Sequence, residues 1–261
     1  MKFAPAQVTL AALVALSGSA FAQTAAPAAA PVDPISYNIS AVSNYKYRGQ
    51  DQDTSKTSGF KPALQGGVDY ANPNGFYVGN WNSTVNFLDT KNNKANVEVD
   101  LYGGYKFPLG DVGMDVGALT YIYPGATKAN TTEIYAAASY GPVTAKYSST
   151  VSSGYFGVGT TNAFNARGTG YLNLAFAQEV MPKVTLKASV GSTMFTSDGK
   201  KAGGFDYVDY SVGASYDLGE GLSFTGSYVG ATNKDKYLTF QHSTTASVNK
   251  GTFIVMLTKA I

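Results

Sequence analysis

The chain has 261 residues, 44% of them hydrophobic but only 14% charged, with 19 Tyr, 14 Phe and 29 Gly. A net charge of +2 resting on 19 basic residues leaves no nucleic-acid footprint. With no Cys and a single His, His242, disulfide scaffolds, thiolate metal sites, Cys nucleophiles and most imidazole chemistry fall away.

The N-terminus reads as an export signal over 1–22. Lys2 supplies the positive start, Val8 to Leu16 is apolar apart from Thr9, and Ala20-Phe21-Ala22 supplies the small-x-small cleavage pattern. That apolar run is too short to span a bilayer. Residues 23–34 follow as an Ala/Pro-rich periplasmic leader. No later stretch is long and apolar enough for a membrane helix.

From residue 35 the dominant period is two. Ile35, Tyr37, Ile39, Ala41, Tyr45 and Tyr47 share one phase, and Asn38, Ser40, Asn44, Lys46 and Arg48 fill the other, predicting one strand from 35 to 48. Further strands are predicted near 62–70, 76–87, 95–107, 112–123, 131–140 and 143–151. The rest lie near 168–178, 184–194, 205–217, 222–231 and 250–261. Short links carrying turn residues, such as Asn72-Pro73-Asn74-Gly75 and Gly141-Pro142, alternate with longer polar ones. An even strand count with loops sorted by length predicts an all-β, transmembrane, antiparallel up-and-down β-barrel of about 12 strands over 35–261.

Charge supports the same reading. With the apolar phase outward, Lys46, Arg48, Asp69, Glu98, Asp100, Lys106, Asp115, Glu133, Lys146, Lys187 and Asp209 all fall on the inward phase, and Lys259 is the exception. A soluble sandwich would point charges outward. A barrel in lipid hides them, because one near the midplane costs about 2–4 kcal/mol. Aromatics assigned outward fall near strand ends: Tyr70, Tyr77, Phe107, Tyr140, Phe176, Tyr216 and Phe224 by the short turns, and Tyr47, Phe87 and Phe253 by the long loops. The last segment closes the barrel by pairing with the first.

Ser43-Asn44-Tyr45-Lys46-Tyr47-Arg48-Gly49 followed by Gln52 resembles the opening motif of the TorF porin family, proteobacterial proteins whose own function is open. The resemblance continues through Pro62–Tyr70, Gly75–Ser83, Glu98–Tyr105, Tyr121–Gly125, Thr132–Tyr135 and Tyr207–Tyr210, and covers nearly the whole chain after the leader. It implies an outer-membrane β-barrel and a channel, with no known substrate.

Chain direction gives each inward residue a height. Lys46, Arg48, Glu98, Asp100, Glu133 and Asp209 form a predicted outer zone of the lumen, and Lys106, Asp115, Lys146 and Lys187 an inner, more basic zone. These charges either set a field across a pore or pair internally, Arg48 with Glu98 or Asp100. Inward Tyr102, Tyr121, Tyr135, Tyr171 and Tyr207 either stack with a solute or fill space and donate hydrogen bonds. The expected function is passive diffusion of small hydrophilic solutes or ions, with outer-membrane lipid as the surrounding partner and no nucleic acid, cofactor, metal or catalytic residue. The alternatives are a non-conducting structural, receptor or adhesin barrel and, further off, a barrel-embedded hydrolase. Asp51-x-Asp53-x-Ser55 opens like a calcium loop, but Lys56 and Pro62 stand where that loop needs Gly and Glu. Gly157-x-Gly159 opens no helix and so cradles no phosphate. His242 reads as a surface residue of the last loop. The number of chains in the assembly is not written in the sequence.

Overall fold

The computed structural model describes residues 34–261 apart from 55–57, 91–92, 162 and 242–243. The signal segment, nearly all of the leader, His242 and part of the calcium-like motif lie outside the described residues.

Twelve strands close into one antiparallel barrel. They are β1 (Ile35–Val42), β2 (Ala63–Ala71), β3 (Phe76–Thr90), β4 (Asn93–Leu109), β5 (Val112–Ile122) and β6 (Thr131–Tyr140). The others are β7 (Val143–Thr150), β8 (Gly170–Met181), β9 (Val184–Met194), β10 (Tyr207–Gly219), β11 (Leu222–Ala231) and β12 (Thr252–Ala260). Each strand pairs with its sequence neighbours, and β12 closes on β1 with Ile39 opposite Lys259. Closure leaves no unpaired edge, which is the condition for a sheet to live in hydrocarbon. One end carries the short turns. Tyr140 pairs with Val143 across Gly141-Pro142, and Gly141 takes the positive φ (55°) that so tight a link demands. The other end carries the long loops, three of which hold small two-stranded ladders of their own.

The outer face of the wall is apolar because alternate residues on nearly every strand are. Leu101, Ile134 and Val212 are each about half exposed, at 49%, 52% and 53%. No Asp, Glu, Lys or Arg projects outward from the middle of a strand among the described residues. Lys259, near the end of β12, donates to the backbone carbonyl of Glu220 in the adjacent short turn. Replacing an outward mid-strand residue with a charge, as in Leu101→Arg, should cost about 2–4 kcal/mol in a bilayer. Urea unfolding in lipid vesicles measures that loss, whereas the same change in a barrel surrounded by water would be close to neutral.

Two parts of the alternation come out differently from the sequence reading. β1 stops at Val42, and the chain bends inward at Ser43, so Tyr45 and Tyr47 lie inside the barrel rather than on its outer face. On β3, Phe76 and Val78 face out while Tyr77 and Trp81 face in. The outward positions that follow are Asn80 and Asn82, whose side chains hydrogen-bond each other. The apolar band is therefore interrupted on β3, where the alternation had placed Tyr77 outside.

Candidate functional site

The lumen holds the polar chemistry, and at the loop end a hairpin crosses it. Lys46–Tyr47 and Gln50–Asp51 form a two-rung ladder. Arg48 (φ 46°) and Gly49 (φ 75°) make its turn, both in the left-handed region that a two-residue hairpin with the strand's own twist requires. The root is tied down on two sides. Asp51 N–H donates to the Val248 carbonyl at 3.0 Å, and Asn86 N–H in the loop-end part of β3 donates to the Gln52 carbonyl at 3.0 Å. Asp51 takes Lys46 on one oxygen and Lys61 on the other, both at 2.8 Å and all three buried. Burial pushes the Lys46 ammonium below the usual lysine range, and Asp51 opposes that shift. Tyr45 packs edge-on against Trp81, the only tryptophan, with ring centres 5.7 Å apart.

The tip reaches the far wall. In the order of the barrel, β6 and β8 flank the strand opposite β1. Arg48 grips Glu133 of β6 through its two terminal guanidinium nitrogens, Nη1 and Nη2, at 2.9 and 2.7 Å, and donates from Nη1 to the Tyr155 hydroxyl at 3.0 Å. Its guanidinium carbon lies 3.9 Å from the ring centre of Tyr171 on β8 and 4.9 Å from that of Tyr47. Both members of the ion pair are almost fully buried, with 5% and 2% of their side chains exposed. The loop after β7 adds Phe156, whose ring meets Tyr47, Tyr121, Tyr123 and Tyr155. Two loops thus fill the loop end with aromatic side chains around one cation.

Carboxylates of the wall surround this bridge. Glu98 accepts from the Tyr123 hydroxyl at 3.0 Å, and Asp209 from the Tyr171 hydroxyl at 3.1 Å. The second oxygen of each, and Asp100 Oδ1, are buried without a hydrogen-bond partner among the described residues.

The turn-end half of the lumen is more open. Lys106 is exposed, while Asp115, Lys146 and Lys187 are half-buried. Tyr77 donates to Asp115 at 2.7 Å and also meets the Tyr135 hydroxyl, and Tyr102 donates to Asp69 at 2.6 Å. The Lys146 ammonium sits 3.8 Å from the Tyr135 ring centre and Lys106 5.0 Å from that of Tyr77. These rings lie over glycines of the neighbouring strand. A Cβ on Gly79, Gly104 or Gly117 would fall within 2.6 Å of Tyr102, Tyr77 or Tyr135 respectively.

Of the residues singled out in the sequence, Glu98, Asp100, Glu133 and Asp209 project from the wall into the loop-end half. Lys106, Asp115, Lys146 and Lys187 project into the other half. Lys46 and Arg48 belong to the inserted hairpin, not to the wall of β1, and Arg48 pairs with Glu133 rather than with Glu98 or Asp100. Tyr47, Tyr155, Asp51 and Lys61 complete the bridge and were not foreseen as lumen groups. One signal for them is present in the sequence: Lys46 and Asp51 flank Arg48-Gly49 at the spacing of opposed hairpin residues. Among the described residues no group of three or more His, Cys, Asp or Glu is placed to hold a metal ion.

A closed 12-stranded antiparallel barrel, apolar outside and polar within, has the architecture of the outer-membrane porins. It is similar to the NanC porin with a TM-score of 0.57 at 9% identity, over 86% of this chain and 98% of that one. Its similarity to the KdgM porin gives a TM-score of 0.51 at 9% identity, over 86% and 97%. A KdgM porin in complex with disordered oligogalacturonate gives 0.50 at 8% identity with the same coverage. At such identities the likeness is one of fold. Residues 25–261 match the family described as bacterial protein of unknown function (Gcw_chp), and the chain belongs to that family. It matches no curated protein sequence.

Proposed function

We propose that the protein is an exported outer-membrane channel of the porin type, through which small hydrophilic solutes and ions diffuse passively. The observation that carries this reading is the partition of the wall: a charged, tyrosine-rich lumen inside a closed sheet whose outer face is apolar. Residues 1–22 would direct export, 23–34 would be the periplasmic leader, and the long loops would face the cell exterior. The motif Ser43 to Gln52, which supports placing the chain with the TorF porins, is the segment that forms the inserted hairpin. The hairpin makes the loop end the narrow part of the path. Lys106, Asp115, Lys146 and Lys187 would then line the accessible vestibule. Three cations there face Asp115 and Asp69, both hydrogen-bonded by tyrosines, so a weak preference for anions is expected.

A second reading has its own observation. The Arg48–Glu133 bridge is buried, as it would be in a non-conducting receptor or structural barrel. Single-channel recording in planar bilayers separates the two, using residues 23–261 refolded in detergent. Discrete steps whose anion preference falls in the Lys106→Gln/Lys146→Gln double variant support the channel. A folded barrel that inserts but stays silent, with and without its hairpin, refutes it.

A further inference from the structure

We infer that the far wall of the lumen carries a guanidinium-binding site, which Arg48 fills as a built-in ligand. A solute bearing a guanidinium group can therefore take its place and decide whether the first loop is latched. The inference deepens the channel reading, because it names a cation class recognised at the narrow part of the path.

The site is complete without the hairpin. Glu133 offers both carboxylate oxygens to two parallel N–H donors, the arrangement that matches a planar fork and not a point charge. Tyr171 offers its ring face at 3.9 Å and Tyr155 its hydroxyl at 3.0 Å. Asp209, held by the Tyr171 hydroxyl, adds a second carboxylate whose other oxygen is buried and unpartnered among the described residues. These groups come from β6, β8, β10 and the loop after β7, elements that the barrel or its packed loop holds in place. Arg48 comes from elsewhere, on a hairpin that leaves β1 at Ser43 and crosses the lumen to the wall it grips. Removing its side chain leaves a buried pocket lined by carboxylates and aromatic rings, with the shape of the group removed. An ammonium ion would satisfy only one of the two carboxylate contacts, and an anion would meet Glu133 and Asp209 with like charge.

In the wild-type chain the tethered side chain competes at an effective concentration on the order of millimolar. Free guanidinium compounds should therefore act on it only at comparable concentration. The test uses Arg48→Ala and methylguanidinium. Refolded in detergent, the variant should melt at a higher temperature in millimolar methylguanidinium than in sodium or tetramethylammonium at equal ionic strength. Trp81, beside Tyr45 at the hairpin root, should report the filled site as a fluorescence change. In bilayers the same compound should reduce the variant's conductance toward the wild-type level. Arg48→Ala/Glu133→Gln should respond to none of these additions. If Arg48→Ala folds poorly, refolding yield becomes the readout, and methylguanidinium should raise it where sodium does not. Equal behaviour in methylguanidinium and sodium overturns the site, as does an undiminished response in the double variant. The detergent readouts do not need conduction, so a positive thermal shift in a silent barrel would keep the site and reject the channel.

Discussion

Arg48→Ala should both destabilise the barrel and widen its path. Truncating one partner of a buried ion pair leaves the other charge without compensation, at a cost of about 3–5 kcal/mol. Here the stranded group is Glu133, already near Asp100, which itself lies near Glu98, so the field left behind is unfavourable. The two effects oppose each other in size. If loss of the side chain lets the hairpin swing away, water reaches Glu133 and the cost falls to the lower end of that range. If the hairpin stays seated, Glu133 remains dry and the cost is high, but conductance hardly rises. Urea unfolding and single-channel recording on the same preparation locate the variant between those limits. Arg48→Ala/Glu133→Gln removes the stranded charge and should recover most of the stability while conducting at least as well. Additive losses in that cycle would mean that the pair is not coupled, contrary to the bidentate geometry.

The sequence yields the wall and loses the plug for one physical reason. Alternation reports which faces meet apolar and polar surroundings, and a barrel lumen is polar and aromatic all the way up. A segment leaving the wall for the lumen keeps much the same composition as a strand lining it. Tyr45-Lys46-Tyr47-Arg48 therefore continues the pattern of Ile35–Val42, although the chain bends at Ser43. Tyrosine adds to the ambiguity, since it suits both an interfacial belt and a hydrogen-bonded interior. What sends Tyr77 inward is not its own chemistry. Gly104 directly opposite leaves room for the ring, and Asp115 on the next strand accepts its hydroxyl. Those partners lie far away in sequence and become visible only once the register is known. The partner of Arg48 was missed on the same ground. Glu98, Asp100 and Glu133 occupy similar heights, and only the direction in which the hairpin crosses the lumen selects Glu133.

Gly49→Val should open the same path without touching a charge. Gly49 sits at φ 75°, where a β-branched side chain is strained. Its Cβ would fall 2.6 Å from the Gly230 carbonyl oxygen and 2.8 Å from the Cβ atoms of Ala231 and Asp209. Those atoms belong to β10 and β11, inside a closed sheet, and cannot retreat without breaking ladder hydrogen bonds. The hairpin, hinged at one end, is the part that moves. Overpacking of this kind costs about 1–3 kcal/mol, less than a stranded buried charge. Release of the hairpin also takes Arg48 from Glu133, so the expected variant loses about as much stability as Arg48→Ala, conducts as well or better, and has its first loop cut faster by protease. The comparison separates two roles for Arg48. If both variants open the channel, the obstruction is the hairpin itself and Arg48 is its clasp. If only Arg48→Ala changes conduction, the guanidinium acts through its charge in the path and the hairpin is not the barrier. Wild-type conductance in both variants, with the loop demonstrably released, would mean that neither the hairpin nor Arg48 limits the path.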